Sequence, residues 1–250
     1  MRSALITGAS DGIGLEIAKL LSREYAITLV ARNPDKLANA RAGLSNSGHH
    51  CVVADLSKKA EVDNLKSLME KNRYDVFINN AGVGMYGLFH EMPLSEQVKM
   101  MNLNMTAVTA LSWFYLGLAK KGDALINVAS TLGTTSFPGA AAYAGTKAFV
   151  IAFSESLWWE YKGRGIFVCA FCPGATKTNF HEVSGGSESI FPAFVMQKPD
   201  QVGRELARSL SKRNSPKVVS GFMNRSMLLF HRFMPRKAVV NMMGSFSPVK

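Results

Sequence analysis

Ala4-Leu5-Ile6-Thr7-Gly8-Ala9-Ser10-Asp11-Gly12-Ile13-Gly14 joins a short apolar run to a glycine-rich loop, and Ile13, Ile17, Leu20 and Leu21 then recur with helical period. The segment therefore reads as a buried strand turning tightly into a helix. Working outward, six further β-rich runs follow: Ala26–Ala31, His50–Ala54, Val76–Asn79, Ala124–Ala129, Gly165–Cys172 and Lys217–Ser220. Helix-period stretches lie near 12–24, 34–45, 58–71, 95–120, 143–162 and 199–212. Nearly continuous apolar strands are those covered on both faces. Strand, helix and strand repeated this often imply right-handed crossovers. The expected fold is α/β, a doubly wound parallel sheet of about seven strands with helices on both faces.

Composition excludes several classes. With 250 residues, 47% of them hydrophobic, the chain can bury a large core without disulfide or metal staples, so general disorder is excluded. The formal net charge of +11 is uneven: residues 1–197 carry 18 basic and 16 acidic side chains, residues 198–250 carry 11 and 2. A balanced body with a basic end is not the footprint of a nucleic-acid groove, and no nucleic-acid partner is expected. Cys169 and Cys172 have redox-motif spacing but sit in a strand, where thiols three residues apart face opposite ways. They read as small buried hydrophobes. No His/Cys/Asp cluster has metal-ligand spacing, so no metal is expected. Met1 is followed almost at once by the first strand, and the longest apolar stretch, around 110–119, is short of the about 20 residues of a membrane span. A cytoplasmic location is expected.

Three constellations carry chemistry. Between a strand and a helix, the spacing G-x-x-x-G-x-G allows close approach of a pyrophosphate to free N–H groups at the helix start. After the second strand, where an acidic residue would accept from a ribose 2′-hydroxyl, the chain has Arg32. A guanidinium there suits a 2′-phosphate, hence NADP (NADPH), the other reading being a surface arginine. Ser130 ends a strand, and Tyr143 and Lys147 share a helix face. A cation about 4 Å from a phenol, at an effective dielectric of about 20, favours phenolate by about 4 kcal/mol, which brings a pKa of about 10 towards about 7 before desolvation offsets it.

Together with Asn79-Asn80-Ala81-Gly82 and Pro173-Gly174, and with thirteen residues from Ser130 to Tyr143, this ordered set resembles the short-chain dehydrogenase/reductase family over roughly residues 3–220. The resemblance implies a single-domain Rossmann fold over 1–221, with a substrate loop near 173–199. It implies an oxidoreductase moving hydride between nicotinamide and a carbonyl or secondary alcohol. Tyr143 is then the proton donor or base, Ser130 the hydroxyl that positions the reacting oxygen, and Lys147 the cation that tunes Tyr143 and holds the nicotinamide ribose. Asn104 matches the asparagine of a proton relay, with Asn102 as competitor. Gly8, Ser10, Gly12, Ile13 and Gly14 would surround the pyrophosphate, and Arg32 would face the 2′-phosphate. Asp55 with Leu56 would meet the adenine, unless Asp55 is a helix cap. Asn79, Ala81 and Gly82 would lie beside the adenosine ribose, and Pro173, Gly174 and Thr178 near the nicotinamide.

Val83, Met85, Tyr86, Phe137, Pro138, Phe180, Phe191, Phe194 and Met196 line the substrate pocket or else belong to the core. With few charges among them, the substrate is expected to be an apolar ketone, fatty-acyl or steroid-like. His90 and His181 read as surface or loop side chains. The aromatic-rich helices near 104–120 and 143–162 serve core packing or, as the resemblance implies, a homodimer or homotetramer. Residues 222–250 form a basic amphipathic extension, which either covers the pocket or lies on an anionic bilayer. The second alternative carries a different function, a peripheral membrane or regulatory NADP-binding protein with little turnover.

Overall fold

The computed structural model describes residues 2–247 and 249 except 179, 181–183 and 185–194. Among them a seven-stranded, all-parallel sheet has the order β3-β2-β1-β4-β5-β6-β7. Its strands are β1 (Arg2–Thr7), β2 (Tyr25–Ala31), β3 (His50–Val53), β4 (Val76–Asn79), β5 (Ala124–Val128), β6 (Phe167–Cys172) and β7 (Lys217–Val219). The order reverses between β1 and β4, and ligands of doubly wound sheets bind outside the carboxyl ends of the strands at such a switch point. Side chains alternate along β1: Ala4 and Ile6 join the cluster with Ile27, Leu29 and Val202, whereas Leu5 joins Phe77, Leu111 and Val168 on the other face. Each fully buried Leu, Ile or Phe contributes about 1.5–3 kcal/mol of transfer free energy. Cys169 and Cys172 are buried, unpaired and in clusters on opposite faces, as the pleat requires.

Helices α1 (Gly12–Leu21), α2 (Pro34–Ala42) and α3 (Lys59–Lys71) make the first crossovers. The expected helix over 95–120 is interrupted: α4 (Leu94–Met101) passes through a π-helical turn, Asn102–Ala107, into α5 (Val108–Leu118). Such turns absorb an extra residue and often mark functional sites. Next come α6 (Ala141–Lys162) and α7 (Pro199–Lys212). The C-terminal extension is two helices, α8 (Phe222–His231) and α9 (Arg236–Ser245). Pro235 separates them because proline lacks an N–H and disfavours a helical residue before it. Val239 and Met243 of α9 are buried in one cluster with Leu132, Phe137 and Tyr143, so the extension packs onto the body.

Candidate active site

Close packing dictates glycine where β1 turns into α1. Gly8 has φ +65°, and a Cβ on Gly14 would lie 2.3 Å from the Gly8 carbonyl oxygen. Asn80 ties this turn to the end of β4, donating from Nδ2 to Thr7 O at 2.9 Å and Gly8 O at 3.1 Å. Thr7 Oγ1 accepts from the backbone N–H groups of Asn80 and Ala81. Gly8, Ser10, Gly12, Ile13 and Gly14 form one wall of a cavity of about 800 Å³. Thr178 stands over Gly12, where a Cβ would meet its Cγ2 at 3.1 Å.

At the carboxyl end of β2, Arg32, Asn33 and Lys36 border the same cavity. Asn33 caps α2, its Oδ1 accepting from Lys36 N at 2.9 Å, and Lys36 Nζ lies 3.3 Å from Asp11 Oδ2. Asp55 and Leu56, after β3, form the adjoining wall with Ala54. Asp55 does not cap α3: its Oδ1 accepts from Ser57 N and Oγ at 3.2 and 2.8 Å. Burial raises its carboxyl, but the Ser57 hydrogen bonds and the charges of Arg32 and Lys58 outweigh that and hold it below its ordinary value.

Ser130, Tyr143 and Lys147 converge at the far end of the cavity, all three buried. Ser130 Oγ accepts from Leu132 N at 3.1 Å, fixing it at the end of β5. The Tyr143 ring packs 5.8 Å from Phe180 and 6.5 Å from Tyr86, centroid to centroid. Lys147 Nζ donates to Val128 O at 2.9 Å and lies 5.9 Å from the Tyr143 ring centroid. Burial pushes the Tyr143 phenol well above its ordinary value; Tyr86 adds to the rise and a hydrogen bond with Ser130 opposes it. Burial also lowers the Lys147 ammonium to about 8. Burial thus acts on Tyr143 against the descent that a nearby cation favours, and Lys147 is itself bonded to a carbonyl.

Of the two asparagines, Asn102 is exposed and Asn104 is buried. Asn104 Oδ1 accepts from Val83 N at 3.1 Å, and its Nδ2 donates to Val83 O at 2.9 Å and Thr146 Oγ1 at 3.1 Å. A Cβ on Gly82 would sit 3.1 Å from Asn104 Oδ1 and 3.3 Å from Lys147 Nζ, so these groups meet at Gly82. Gly133 holds α6 in register: a Cβ there would lie 2.6 Å from the Lys147 carbonyl carbon and 2.7 Å from its oxygen. Gly133→Ala is expected to destabilise the fold by about 1–3 kcal/mol and to displace Lys147. Thermal melting, lowered by about 2–10 °C, with reduced turnover checks it.

Not every expected residue borders the cavity. Asn79 points away from it, donating to Asn127 Oδ1 and Ser112 Oγ at 2.9 and 3.1 Å inside the core, and the neighbouring Asn80 lines the wall instead. This corrects the placement of Asn79 beside the ribose. The pleat sends it to the same face as Phe77, towards α5. Ala81, Gly82, Pro173 and Gly174 are lining residues, as are Val83, Tyr86, Phe137 and Phe180, whereas Met85, Pro138 and Met196 are not. Phe191, Phe194 and His181 lie outside the described residues, and His90 is exposed. Sequence reasoning missed Lys36, signalled only by its four-residue step from Arg32, and the individual contributions of α8 and α9. Met223, Met227, Phe230, His231 and Met243 close the cavity, and Gly174 lies so near Asn224 that a Cβ would be 2.2 Å from its Nδ2. Among the described residues neither ring nitrogen of His231 has a hydrogen-bond partner, and burial lowers its pKa.

The family described as short chain dehydrogenase matches residues 2–187. Oxidoreductase UcpA of Escherichia coli K12 is 32% identical over 219 residues, 85% of this chain and 81% of that protein. The 3-oxoacyl-[acyl-carrier-protein] reductase FabG of Haemophilus influenzae is 33% identical over 185 residues, 72% of this chain and 76% of that protein. Among solved structures, a short-chain dehydrogenase from Sphingobium yanoikuyae in complex with NADPH superposes with a TM-score of 0.79 at 26% identity, covering 93% of each chain. With the glycine turn, the switch-point cavity and the Ser130–Tyr143–Lys147 cluster in place, the chain belongs to the short-chain dehydrogenase family of oxidoreductases.

Proposed function

We propose that the protein is an NADPH-dependent reductase of apolar ketones. The observation that carries this reading is the single cavity that joins Arg32 and Lys36 at one end to Ser130 and Tyr143 at the other, with an apolar annex built from Phe137, Phe180, Met227 and Met243. Its shape and donors fit a dinucleotide: a helix start and glycine turn for the pyrophosphate, an apolar wall at Leu56 for the adenine, and two cations for a 2′-phosphate. When bound, the nicotinamide supplies the hydride. Lys147 would hold its ribose, and Thr178 and the Pro173–Gly174 turn its carboxamide end. The chain's own task is orientation and proton transfer. Ser130 and Tyr143 donate hydrogen bonds to the carbonyl oxygen as charge develops there, and Tyr143 delivers the proton. A phenol held protonated by burial suits the donor role in reduction. Asn104 fixes the Val83 backbone next to Lys147 and is assigned to the relay that returns a proton to Tyr143.

Trp113 on α5 and Trp159 on α6 are 74% and 69% exposed, which supports a homodimer or homotetramer through these helices. Incubation with NADPH and a panel of ketones, aldehydes and 3-oxoacyl thioesters is expected to give NADPH oxidation with bulky apolar ketones first. Oxidation with none of them, or equally with NADH, overturns the reading.

A further inference from the structure

We propose that α8 and the turn after it dock the mouth of the cavity onto an anionic lipid surface. The helix has three distinct sides. Phe222, Ser226 and Leu229, with Phe233 just beyond, follow the i, i+4, i+7, i+11 spacing of a single stripe. Phe222 and Phe233 are 74% and 79% exposed, and Leu229 and Phe230 are exposed as well. With Met223, five large apolar side chains are exposed within twelve residues, more than soluble surfaces ordinarily leave uncovered in so short a stretch.

To one side of the stripe, Met223 and Phe230 are at once exposed and part of the cavity wall, as is Phe246 from beyond α9. The patch is therefore continuous with the rim of the cavity. To the other side lie Arg225 and Arg232, with Arg236 and Lys237 following in the next turn. Arg225 is paired with Glu205 at 3.0 Å, and Arg236 donates to Ser136 Oγ at 2.9 Å. From Leu206 to Lys250 the sequence holds no Asp or Glu, and among the described residues Glu205 of α7 meets Arg225 while Arg232, Arg236 and Lys237 have no carboxylate within 4 Å.

An apolar stripe flanked by cations is the arrangement of a helix lying in a bilayer interface, with aromatics among the acyl chains and cations at anionic headgroups. An acidic soluble protein would be met by the cations but would leave the phenylalanines without a partner of their own kind. Docked this way, the cavity mouth opens on the lipid phase, and a lipophilic ketone reaches Tyr143 without crossing water. That last step rests on the proposed function; the docking does not.

The test is co-sedimentation of the full chain with vesicles of mixed phosphatidylglycerol and phosphatidylcholine and with vesicles of phosphatidylcholine alone. Binding is expected to the anionic vesicles, weakening as salt rises from about 0.1 to about 1 M and the screening length falls from about 10 to about 3 Å. Joint Phe222→Ser, Leu229→Ser and Phe233→Ser, and separately Arg232→Glu with Lys237→Glu, are each expected to weaken it by about tenfold or more, with unchanged melting because these side chains are exposed. Turnover of a soluble ketone, measured alongside, reads the active site independently. Vesicle binding without turnover upholds the docking and removes the reductase reading. Turnover without vesicle binding overturns the docking, as does equal binding by the variants. Self-association lost in the serine variant, or capture by acyl carrier protein but not by vesicles, also overturns it.

Discussion

Tyr143→Phe is expected to lower kcat by about 10³-fold or more while NADPH affinity changes only a few-fold. The hydroxyl is asked for two things at the same atom, a hydrogen bond to the developing oxyanion and the proton itself. Such contributions are each worth about 10²–10⁴ in rate. A loss of about 10³ corresponds to about 4 kcal/mol of transition-state stabilisation. The fold should not suffer. Phenylalanine keeps the ring contacts with Phe180 and Tyr86, and the Ser130 hydroxyl left behind still accepts from Leu132 N and borders the cavity, so the cost stays within about 1–3 kcal/mol. Single-turnover measurement separates chemistry from binding, and circular dichroism reports the fold. Residual kcat within tenfold of the parent would falsify the assignment of Tyr143 as proton donor.

The contrast between local and distant determinants explains what the sequence disclosed. The turn from β1 into α1 is a local affair of glycines, and Tyr143 and Lys147 are neighbours by helical period alone, so both were legible. The parallel, doubly wound sheet followed from repeated crossovers, and the cysteine faces from the pleat. Choosing between Asn102 and Asn104 was different in kind. The π-helical turn that buries Asn104 is secured by Val83 and Thr146, 21 and 42 residues away, and no period in the segment 95–120 encodes that. Asn79 was legible in principle: strand alternation places it with Phe77, and only its motif suggested otherwise. The desolvation that opposes the lysine at Tyr143 was not legible, because a pairwise Coulomb argument needs the depth of burial, a tertiary property. Likewise, amphipathicity alone could not say which side of α8 meets the cavity, since two of its sides are apolar and packing against Gly174 and Gln197 through Asn224 decides between them.

Cofactor choice should reverse with one charge. Arg32→Asp is expected to lower kcat/KM for NADPH by about 10²-fold and to raise it for NADH, so that the preference changes sign. Replacing a bidentate, charge-assisted partner of a phosphate removes about 1.5–3 kcal/mol, and a carboxylate in its place adds repulsion of the 2′-phosphate while offering an acceptor to a free 2′-hydroxyl. Asp55 is close enough for the Arg32 charge to lower its carboxyl, so the variant loses that stabilisation and gains a second negative charge nearby. Lys36 moderates the outcome. It borders the same end of the cavity from the first turn of α2 and keeps a cation there after Arg32 is gone. Arg32→Asp with Lys36→Ala should therefore lose NADPH activity further than Arg32→Asp alone, while Lys36→Ala alone changes the preference by only about threefold to tenfold, since Asp11 already shares its charge. Steady-state kcat/KM with each cofactor, at one ionic strength, decides it. An unchanged preference in Arg32→Asp would place the 2′-phosphate elsewhere and leave Arg32 a surface residue.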